Sequence, residues 1–210
     1  MQRGEAWAAV AERLAERYPS VLLDRADEAP APGTVPVAYS MGGRIVLHRA
    51  LDEPERWRKL VLVGVSAGVP DRAARRAHDE ELATWIETRP IEQVVERWEA
   101  QPIFATQSEE LRANQRPGRL SFEPNELATL LRNHGQGALP PVWDRLGGVD
   151  AEVLLLVGEL DTAYADAGER MASLLPNARL ETIANAGHAP QLETPDAVAH
   201  AIADFIRSAG

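Results

Sequence analysis

A serine in a tight turn between a strand and a helix is the residue of this sequence best placed to do chemistry. Ser40 follows the apolar run 35–37 and precedes the glycine pair Gly42 and Gly43. Such a turn lifts one hydroxyl out of the backbone, and small neighbours let the strand and helix approach closely. The motif departs from G-x-S-x-G at its first position, which is Ala38. Taken alone, the pattern fits a nucleophile elbow and an ordinary N-cap serine equally well.

Two later segments supply an acid and a base. Asp161 comes shortly after the apolar run 153–157, and His188 follows the run 180–183. Because functional side chains of open α/β sheets gather at the carboxyl ends of the strands, we expect both to lie near Ser40, in the chain order serine, acid, histidine. The imidazole would accept the serine proton and the carboxylate would orient the imidazole. The alternative is a turn aspartate and a loop histidine.

Composition and charge narrow the classes of function. The chain has 210 residues, a net charge of -10 and no cysteine, so we expect a single domain without disulfides or thiolate sites. The negative charge disfavours nucleic acid as a partner. No histidine pair has metal-ligand spacing, so we expect no metal and no organic cofactor. No apolar run approaches the roughly 18 residues of a membrane span, and no leader is evident, so a cytoplasmic protein is expected.

Hydrophobic periodicity predicts an α/β protein with a mostly parallel sheet flanked by helices. The expected strands are 21–23, 35–37, 60–63, 153–157 and 180–183, and the expected helices are 6–17, 44–51, 166–175 and 195–207. Residues 71–146 read as helices broken at 89–90, 101–102, 116–118 and 140–141. Since this insert is too long for a plain connection, we expect a core of residues 1–67 and 147–210 with a helical lid over 68–146.

The order of elements, the elbow and the late Gly-Glu-Leu-Asp and Ala-Gly-His segments resemble the α/β-hydrolase superfamily. Within it, the sequence resembles the 2-succinyl-6-hydroxy-2,4-cyclohexadiene-1-carboxylate synthases of menaquinone biosynthesis. Four segments carry this closer resemblance: 39–44, 97–104, 137–146 and 156–162. The lid segments discriminate best, because unrelated hydrolases share the elbow and the triad. The resemblance implies an α/β-hydrolase fold over nearly the whole chain.

The resemblance also implies an elimination rather than a hydrolysis. In those synthases the triad removes a proton from an enolpyruvyl cyclohexene carboxylate, and pyruvate leaves, which is a carbon–oxygen lyase reaction. Ser40 with His188 would act as the base, and Asp161 would orient His188. The backbone N–H of Met41 would donate one hydrogen bond to the oxyanion that forms.

A substrate with several carboxylates calls for guanidinium groups, which bind carboxylates in a planar fork. The residues that the resemblance assigns to substrate binding are Tyr39, Arg44, Arg75, Trp98 and Arg116. Arg44 is best supported, because the elbow places it near the serine. Arg75 could instead pair with Asp79 one helical turn on. Arg116 could be a loop residue, and Trp98 could belong to the core.

The first part of the sequence departs from the family pattern. The synthases begin with a strand and a His-Gly loop that supplies a second oxyanion donor, whereas here residues 4–7 match the segment after that loop. The Pro-rich segment 25–34 reads as an extended tether in place of a loop and a helix. We therefore expect an N-terminally trimmed fold, with unpaired backbone in the sheet unless strand 21–23 moves beside 35–37.

Two other functions fit the same residues. The triad could belong to a serine ester hydrolase of unknown substrate. A catalytically degenerate binding module on the α/β-hydrolase scaffold would also keep the elbow while losing turnover. A small-molecule polycarboxylate is the partner expected on the first hypothesis, and the oligomeric state is open.

Overall fold

The computed structural model describes residues 2–24 and 30–208, which contain a four-stranded parallel sheet. In spatial and chain order the strands are β1 (Val37–Tyr39), β2 (Lys59–Val63), β3 (Glu152–Gly158) and β4 (Ala178–Ile183). Val61 of β2 lies between Val37 and Leu154 in the register. The two central strands are apolar and almost wholly buried, because helices cover both faces of the sheet. The predicted α/β class is confirmed.

Side chains that alternate along β2 enter two separate cores. Leu60 and Leu62 pack on one face of the sheet, and Val61 and Val63 pack on the other. The first face is covered by α2 (Ser40–Asp52), α7 (Thr162–Leu174) and the 3-10 turn Trp143–Gly148. The second is covered by α1 (Ala8–Leu14) and α9 (Pro195–Arg207), with the short α8 (Pro190–Glu193) before it and the 3-10 turn Gly4–Trp7 ahead of α1.

The chain between β2 and β3 is helical and has an apolar core of its own. It contains α3 (Arg72–Glu87), α4 (Ile91–Glu99), the 3-10 turn Pro102–Phe104, α5 (Glu109–Leu120) and α6 (Pro124–His134). Side chains of Asp71 and Ser108 accept backbone N–H groups at the starts of α3 and α5. Ala83, Val94 and Phe122 belong to its core. We refer to residues 68–146 as the helical insert.

The predicted strand 21–23 is wrong. Residues 21–23 form no hydrogen-bonded ladder with another strand. Val21 is 83% exposed, and Leu22 and Leu23 are exposed as well. The chain here lies against the 3-10 turn Gly4–Trp7 instead, since Asp24 accepts the N–H of Gly4 at 2.8 Å and a Cβ at Gly4 would lie 3.0 Å from Leu22 Cβ. A short apolar run becomes a strand only where a neighbouring strand offers hydrogen bonds. Within residues 2–24 and 30–208, β1 pairs with β2 alone and is therefore an edge strand.

The predicted helix break at 116–118 is also wrong. Helix α5 continues through Pro117 to Leu120. Proline removes one helical hydrogen bond, but Arg116 and Arg119, on either side of Pro117, both form ion pairs with Glu99 of α4. These tertiary contacts outweigh the local preference. The tether predicted at 25–34 lies partly outside the described residues. No helix in the part of the chain that the structure describes has the length and apolarity to cross a membrane.

Candidate active site

Ser40 occupies a strained turn at the junction of β1 and α2. Its φ of 48° lies in the left-handed region, which non-glycine residues enter at a cost. The turn requires a small residue at Gly43, where a Cβ would overlap Val65 Cγ2 and lie 3.0 Å from the Ala38 carbonyl oxygen. A Cβ at Gly42 would instead meet open space. The sequence predicts that both glycines are needed for the close approach of strand and helix. In the structure this requirement holds at Gly43 and not at Gly42.

Asp161 and His188 meet Ser40 from two other strand ends. Asp161 follows β3 and precedes α7, and His188 lies on the loop after β4. His188 Nδ1 lies 2.6 Å from Asp161 Oδ2, and His188 Nε2 lies 3.1 Å from Ser40 Oγ. The approach is close: a Cβ at Gly158 would overlap the Gly187 carbonyl oxygen. The structure thus brings the three predicted residues together in one hydrogen-bonded chain.

The chain of hydrogen bonds defines how protons can move. A carboxylate accepts hydrogen bonds only, so Asp161 holds the proton of the neutral imidazole on Nδ1. Nε2 is then an acceptor facing the Ser40 hydroxyl. Both Asp161 and His188 are buried, which keeps water from competing for these bonds. Chemically, this arrangement can take a proton at Ser40 and stabilise the imidazolium that results.

The start of α2 offers a place for negative charge beside Ser40. Met41 is the second residue of the helix, where a backbone N–H has no partner within the helix. The helix dipole adds a partial positive charge at the same end. Met41 N–H is thus available as an oxyanion donor, as the sequence predicts, and its catalytic use remains a prediction.

Aromatic rings surround the imidazole. The ring centroids of Tyr164, Tyr39 and Phe104 lie 4.3, 5.1 and 6.4 Å from that of His188. Burial, the largest cause, raises the pKa of the Tyr39 phenol well above its usual value, so the phenol stays neutral. Trp98 contacts Phe104, at 5.2 Å between centroids, and so stands one ring away from the imidazole. The resemblance points to Tyr39 and Trp98 but assigns no role to Phe104 or Tyr164.

Arg44 is a buried cation one helical turn after Ser40. It is 3% exposed, and its Nη2 donates to the Leu139 carbonyl oxygen at 3.3 Å. Its Nη1 is buried without a hydrogen-bond partner among the described residues. Burial, the largest cause, lowers the pKa of the guanidinium, and the nearby charge of Arg75 lowers it further. A buried cation with an unused donor is costly unless an anion completes it.

Arg75 forms the pair that its helical spacing offers as an alternative to substrate binding. Its Nε donates to Asp79 Oδ1 at 2.7 Å. A second donor, Nη1, reaches Gln136 Oε1 at 3.1 Å. Asp79 is itself buried and accepts the N–H of Gly137 at 2.8 Å. Arg75 thus bonds to Asp79 on its own helix, α3, and to Gln136, which follows α6. Its role toward a substrate remains a prediction.

Arg116 is partly exposed, whereas Arg119 on the same helix is buried. Arg116 forms ion pairs with Glu99 and, at 3.8 Å, with Glu96, and it lies in a helix rather than a loop. Arg119 is 3% exposed, and its Nη1 and Nη2 donate to Glu99 Oε1 at 3.0 Å and to Gln107 Oε1 at 3.3 Å. The two arginines are three residues apart, on one helix face. That spacing was the signal by which the sequence could have found Arg119.

Arg119 connects to the histidine loop through the segment 104–107. Gln107 is buried, and its Nε2 has no partner among the described residues. Thr106, next to it, lies so close to Gly187 that a Cβ there would overlap the threonine hydroxyl. The buried guanidinium thus lies behind one wall of the site. No cluster of three or more metal-ligating side chains occurs within residues 2–24 and 30–208.

Comparison with known proteins places this geometry in a family. A model of the alpha/beta hydrolase family matches residues 3–201. A Bacillus subtilis (strain 168) protein, provisionally named 2-succinyl-6-hydroxy-2,4-cyclohexadiene-1-carboxylate synthase, is 33% identical over an alignment of 178 residues; the match covers 82% of this chain and 65% of that protein. The chain therefore spans slightly less than two thirds of the length of that relative.

Solved structures agree with the family match. The structure of MenH from S. aureus superposes with a TM-score of 0.80 at 31% identity, covering 83% of this chain and 68% of that one. A thermophilic esterase from Thermogutta terrifontis, solved with malate bound, superposes with a TM-score of 0.83 at 21% identity, covering 98% and 85%. The second likeness supports the fold alone. Since the family model spans nearly the whole sequence, the chain belongs to the alpha/beta hydrolase family.

Proposed function

We propose that the chain is a carbon–oxygen lyase that eliminates pyruvate from an enolpyruvyl cyclohexene carboxylate to give 2-succinyl-6-hydroxy-2,4-cyclohexadiene-1-carboxylate. The similarity to the Bacillus protein and to the S. aureus structure supports this reaction. The hydrogen-bonded chain Ser40–His188–Asp161 supports a base that acts at the serine. No metal or organic cofactor takes part in the proposed mechanism.

In the proposed mechanism the triad takes one proton from the substrate and returns one proton to the leaving group. Ser40 removes a proton from a substrate carbon and passes its own to His188 Nε2, and Asp161 stabilises the imidazolium. The electron pair delocalises onto the neighbouring carbonyl group as an oxyanion, to which the Met41 N–H donates. When the pair returns, a ring double bond forms, the carbon–oxygen bond breaks and pyruvate leaves. His188 returns the proton to the leaving group, so the enzyme ends as it began.

The observation that carries the proposal is the buried guanidinium of Arg44 beside the triad. Its Nη1 has no partner among the described residues, although the group is 3% exposed. A neutral ester offers such a group no counter-charge, whereas a substrate carboxylate does. The overall charge of -10 repels an anion. Local cations are therefore needed, and we propose Arg44, Arg75 and, from the resemblance, Arg116 for this purpose.

We propose that the helical insert, residues 68–146, forms a lid over the site. It places Phe104 beside the His188 ring, Thr106 against Gly187, and Gln136 against the Tyr164 hydroxyl. Such a cover excludes water while the oxyanion exists, which strengthens the hydrogen bonds to it. Trp98 contributes through its contact with Phe104.

The test is pyruvate release by the 210-residue chain from the enolpyruvyl precursor. Ser40→Ala is the blank, and Ser173→Ala on the exposed side of α7 is the matched control. We expect release by the wild type and by Ser173→Ala and none by Ser40→Ala. An acyl-enzyme burst with a nitrophenyl ester, without pyruvate release, would identify an ester hydrolase instead. A folded protein with neither activity would favour a binding module.

A further inference from the structure

Tyr164 is a site residue that neither the elbow motif nor the triad spacing points to. It lies on the first turn of α7, three residues after Asp161. Its ring centroid is 4.3 Å from that of His188, and its hydroxyl lies 2.9 Å from Gln136 Nε2. One face of this residue thus contacts the catalytic imidazole, while its polar end reaches the helical insert.

The hydrogen bonds around Gln136 determine which way the Tyr164 hydroxyl acts. Arg75 Nη1 lies 3.1 Å from Gln136 Oε1, and a guanidinium can only donate. The amide oxygen of Gln136 must therefore face Arg75, and its NH₂ group must face Tyr164. The Tyr164 oxygen is then an acceptor in that bond. Its own O–H proton has no acceptor among the described residues and is free to donate elsewhere.

Arg44, on α2, contacts the same loop and has an unused donor of its own. Its Nη2 donates to the carbonyl oxygen of Leu139, three residues after Gln136, while its Nη1 is unpartnered and buried among the described residues. Burial is the largest cause that raises the pKa of the Tyr164 phenol, and the charges of Arg75 and Arg44 both lower it. The positive charges of both guanidinium groups therefore act on the phenol. Loop 136–139 thus contacts all three residues, Arg44 through Leu139 and both Arg75 and Tyr164 through Gln136.

We propose that the Tyr164 hydroxyl donates a hydrogen bond to a substrate carboxylate that Arg44 Nη1 also binds. Gln136 fixes the hydroxyl in this role. Its NH₂ group donates to the Tyr164 oxygen, so the O–H proton points away from Gln136 and can be donated to the substrate. Two donors, one charged and one neutral, match the two oxygens of one carboxylate. This inference rests on the proposed function for the identity of the substrate and extends it, because Tyr164 then selects a carboxylate over a neutral group. The ligand class is a succinate-like dicarboxylate.

The test measures succinate binding by calorimetry to the full chain. The variants are Tyr164→Phe, which removes the hydroxyl and keeps the ring against His188, and Tyr18→Phe, which removes a hydroxyl from a ring that packs on the α1–α9 side of the sheet. We expect roughly tenfold weaker binding for Tyr164→Phe, the size of one hydrogen bond to a charged group, and no change for Tyr18→Phe. Unchanged affinity in Tyr164→Phe, or no succinate binding by the wild type, would overturn the inference.

A second variant tests the direction of the hydrogen bond. In Gln136→Glu a carboxylate replaces the amide, and an oxygen takes the place of the NH₂ group. This oxygen accepts the Tyr164 proton, so the hydroxyl can no longer donate to succinate. We expect Gln136→Glu to weaken binding at least as much as Tyr164→Phe, and the double variant to be no weaker than Gln136→Glu alone. Additive losses would contradict the shared role.

The outcome is separable from that of the proposed function, because succinate binding requires no turnover. Pyruvate release with unchanged succinate affinity in Tyr164→Phe would reject this inference alone. Loss of succinate affinity in a chain that releases no pyruvate would reject the proposed reaction and retain the carboxylate site.

Discussion

His188 Nδ1 lies 2.6 Å from Asp161 Oδ2, so the carboxylate holds one tautomer of the imidazole. In that tautomer Nε2 faces Ser40 Oγ as an acceptor, at 3.1 Å. The other tautomer would present a donor to the hydroxyl and could not remove its proton. The orientation of the base is therefore set by a residue that never touches the serine.

Asp161→Asn tests this relationship. An amide at the position of Oδ2 can donate to Nδ1 and so favours the wrong tautomer, while the shape of the side chain is kept. We expect kcat to fall by roughly 10⁴-fold, the loss that the same change causes in serine proteases. Asp166→Asn, on the exposed side of α7, is the matched control and should leave kcat unchanged. A loss below about tenfold would mean that Asp161 does not set the tautomer.

The backbone of Ser40 predicts a stability effect that is opposite to the effect on activity. Its φ of 48° strains any residue with a Cβ, so glycine relieves the strain and alanine does not. Both Ser40→Gly and Ser40→Ala should lose turnover. We expect Ser40→Gly to have the higher free energy of unfolding, by about 1 kcal/mol, in urea titrations.

Asn185 provides the control for backbone strain. Its φ of 58° is similar, but asparagine tolerates the left-handed region. Asn185→Gly should therefore change the free energy of unfolding by less than about 0.5 kcal/mol. Equal stability of Ser40→Gly and Ser40→Ala would mean that the serine turn stores no strain.

Arg44 should contribute to substrate binding at the expense of stability. Arg44→Met replaces a buried cation, whose Nη1 has no partner among the described residues, with an apolar chain of similar length. We expect KM for the carboxylated substrate to rise roughly 10- to 100-fold, because a charge-assisted bond is lost. The free energy of unfolding should rise by about 1 kcal/mol.

The matched control is Arg49→Met on the same helix, where the guanidinium pairs with Glu53 at 2.9 Å in a partly exposed position. KM should not change in that variant. If Arg44→Met raises KM for a neutral ester as much as KM for the carboxylated substrate, Arg44 does not bind the carboxylate.

The sequence predicts best those features that depend on neighbouring residues. The elbow turn is a local motif, and strand ends in a parallel sheet meet at one edge, so the meeting of Ser40, Asp161 and His188 follows from local signals. The central strands are long apolar runs, and the predicted strands at 60–63, 153–157 and 180–183 are observed. Strands β2 and β3 are predictable because burial on both faces leaves a strong apolar pattern, whereas β4 lies at an edge of the described sheet and is only partly buried.

The sequence predicts less well those features that depend on distant partners. Arg119 is buried because Glu99 and Gln107 accept its donors, and the three-residue spacing that places it on the helix face of Arg116 does not show which of the two is buried. The direction of the Tyr164 hydroxyl depends on Gln136, 28 residues earlier. Strand 21–23 fails for the same reason, since an apolar run does not reveal whether a ladder partner exists.

The glycine pair after Ser40 should separate close packing from helix propensity. A Cβ at Gly43 would overlap Val65 Cγ2, whereas a Cβ at Gly42 would meet nothing within 4 Å. We expect Gly43→Ala to lower the free energy of unfolding by about 1–3 kcal/mol through overpacking. Gly42→Ala should raise it by up to about 1 kcal/mol, because alanine favours the helix. Two variants with shifts of the same sign in urea titrations would contradict this assignment.

His48 should make the stability of the fold depend on pH. Burial, the largest cause, lowers the pKa of its imidazole, and Arg44 and, more weakly, Arg145 lower it further, while Asp52 and the Pro140 carbonyl act in the opposite direction. The folded state therefore binds a proton at His48 less readily than the unfolded state, whose pKa is about 6.5. Stability from this residue is fully present above that pH and is lost as the pH falls through about 6.5 toward the folded pKa.

His48→Asn removes this titration, and His78→Asn, at an exposed position on α3, is the matched control. We expect the free energy of unfolding, measured in urea between about pH 8 and pH 5, to fall less steeply with acid in His48→Asn than in the wild type. His78→Asn should follow the wild-type curve. Parallel curves for the wild type and His48→Asn would mean that the histidine takes up its proton equally well in both states, and the pH dependence would then belong to other groups.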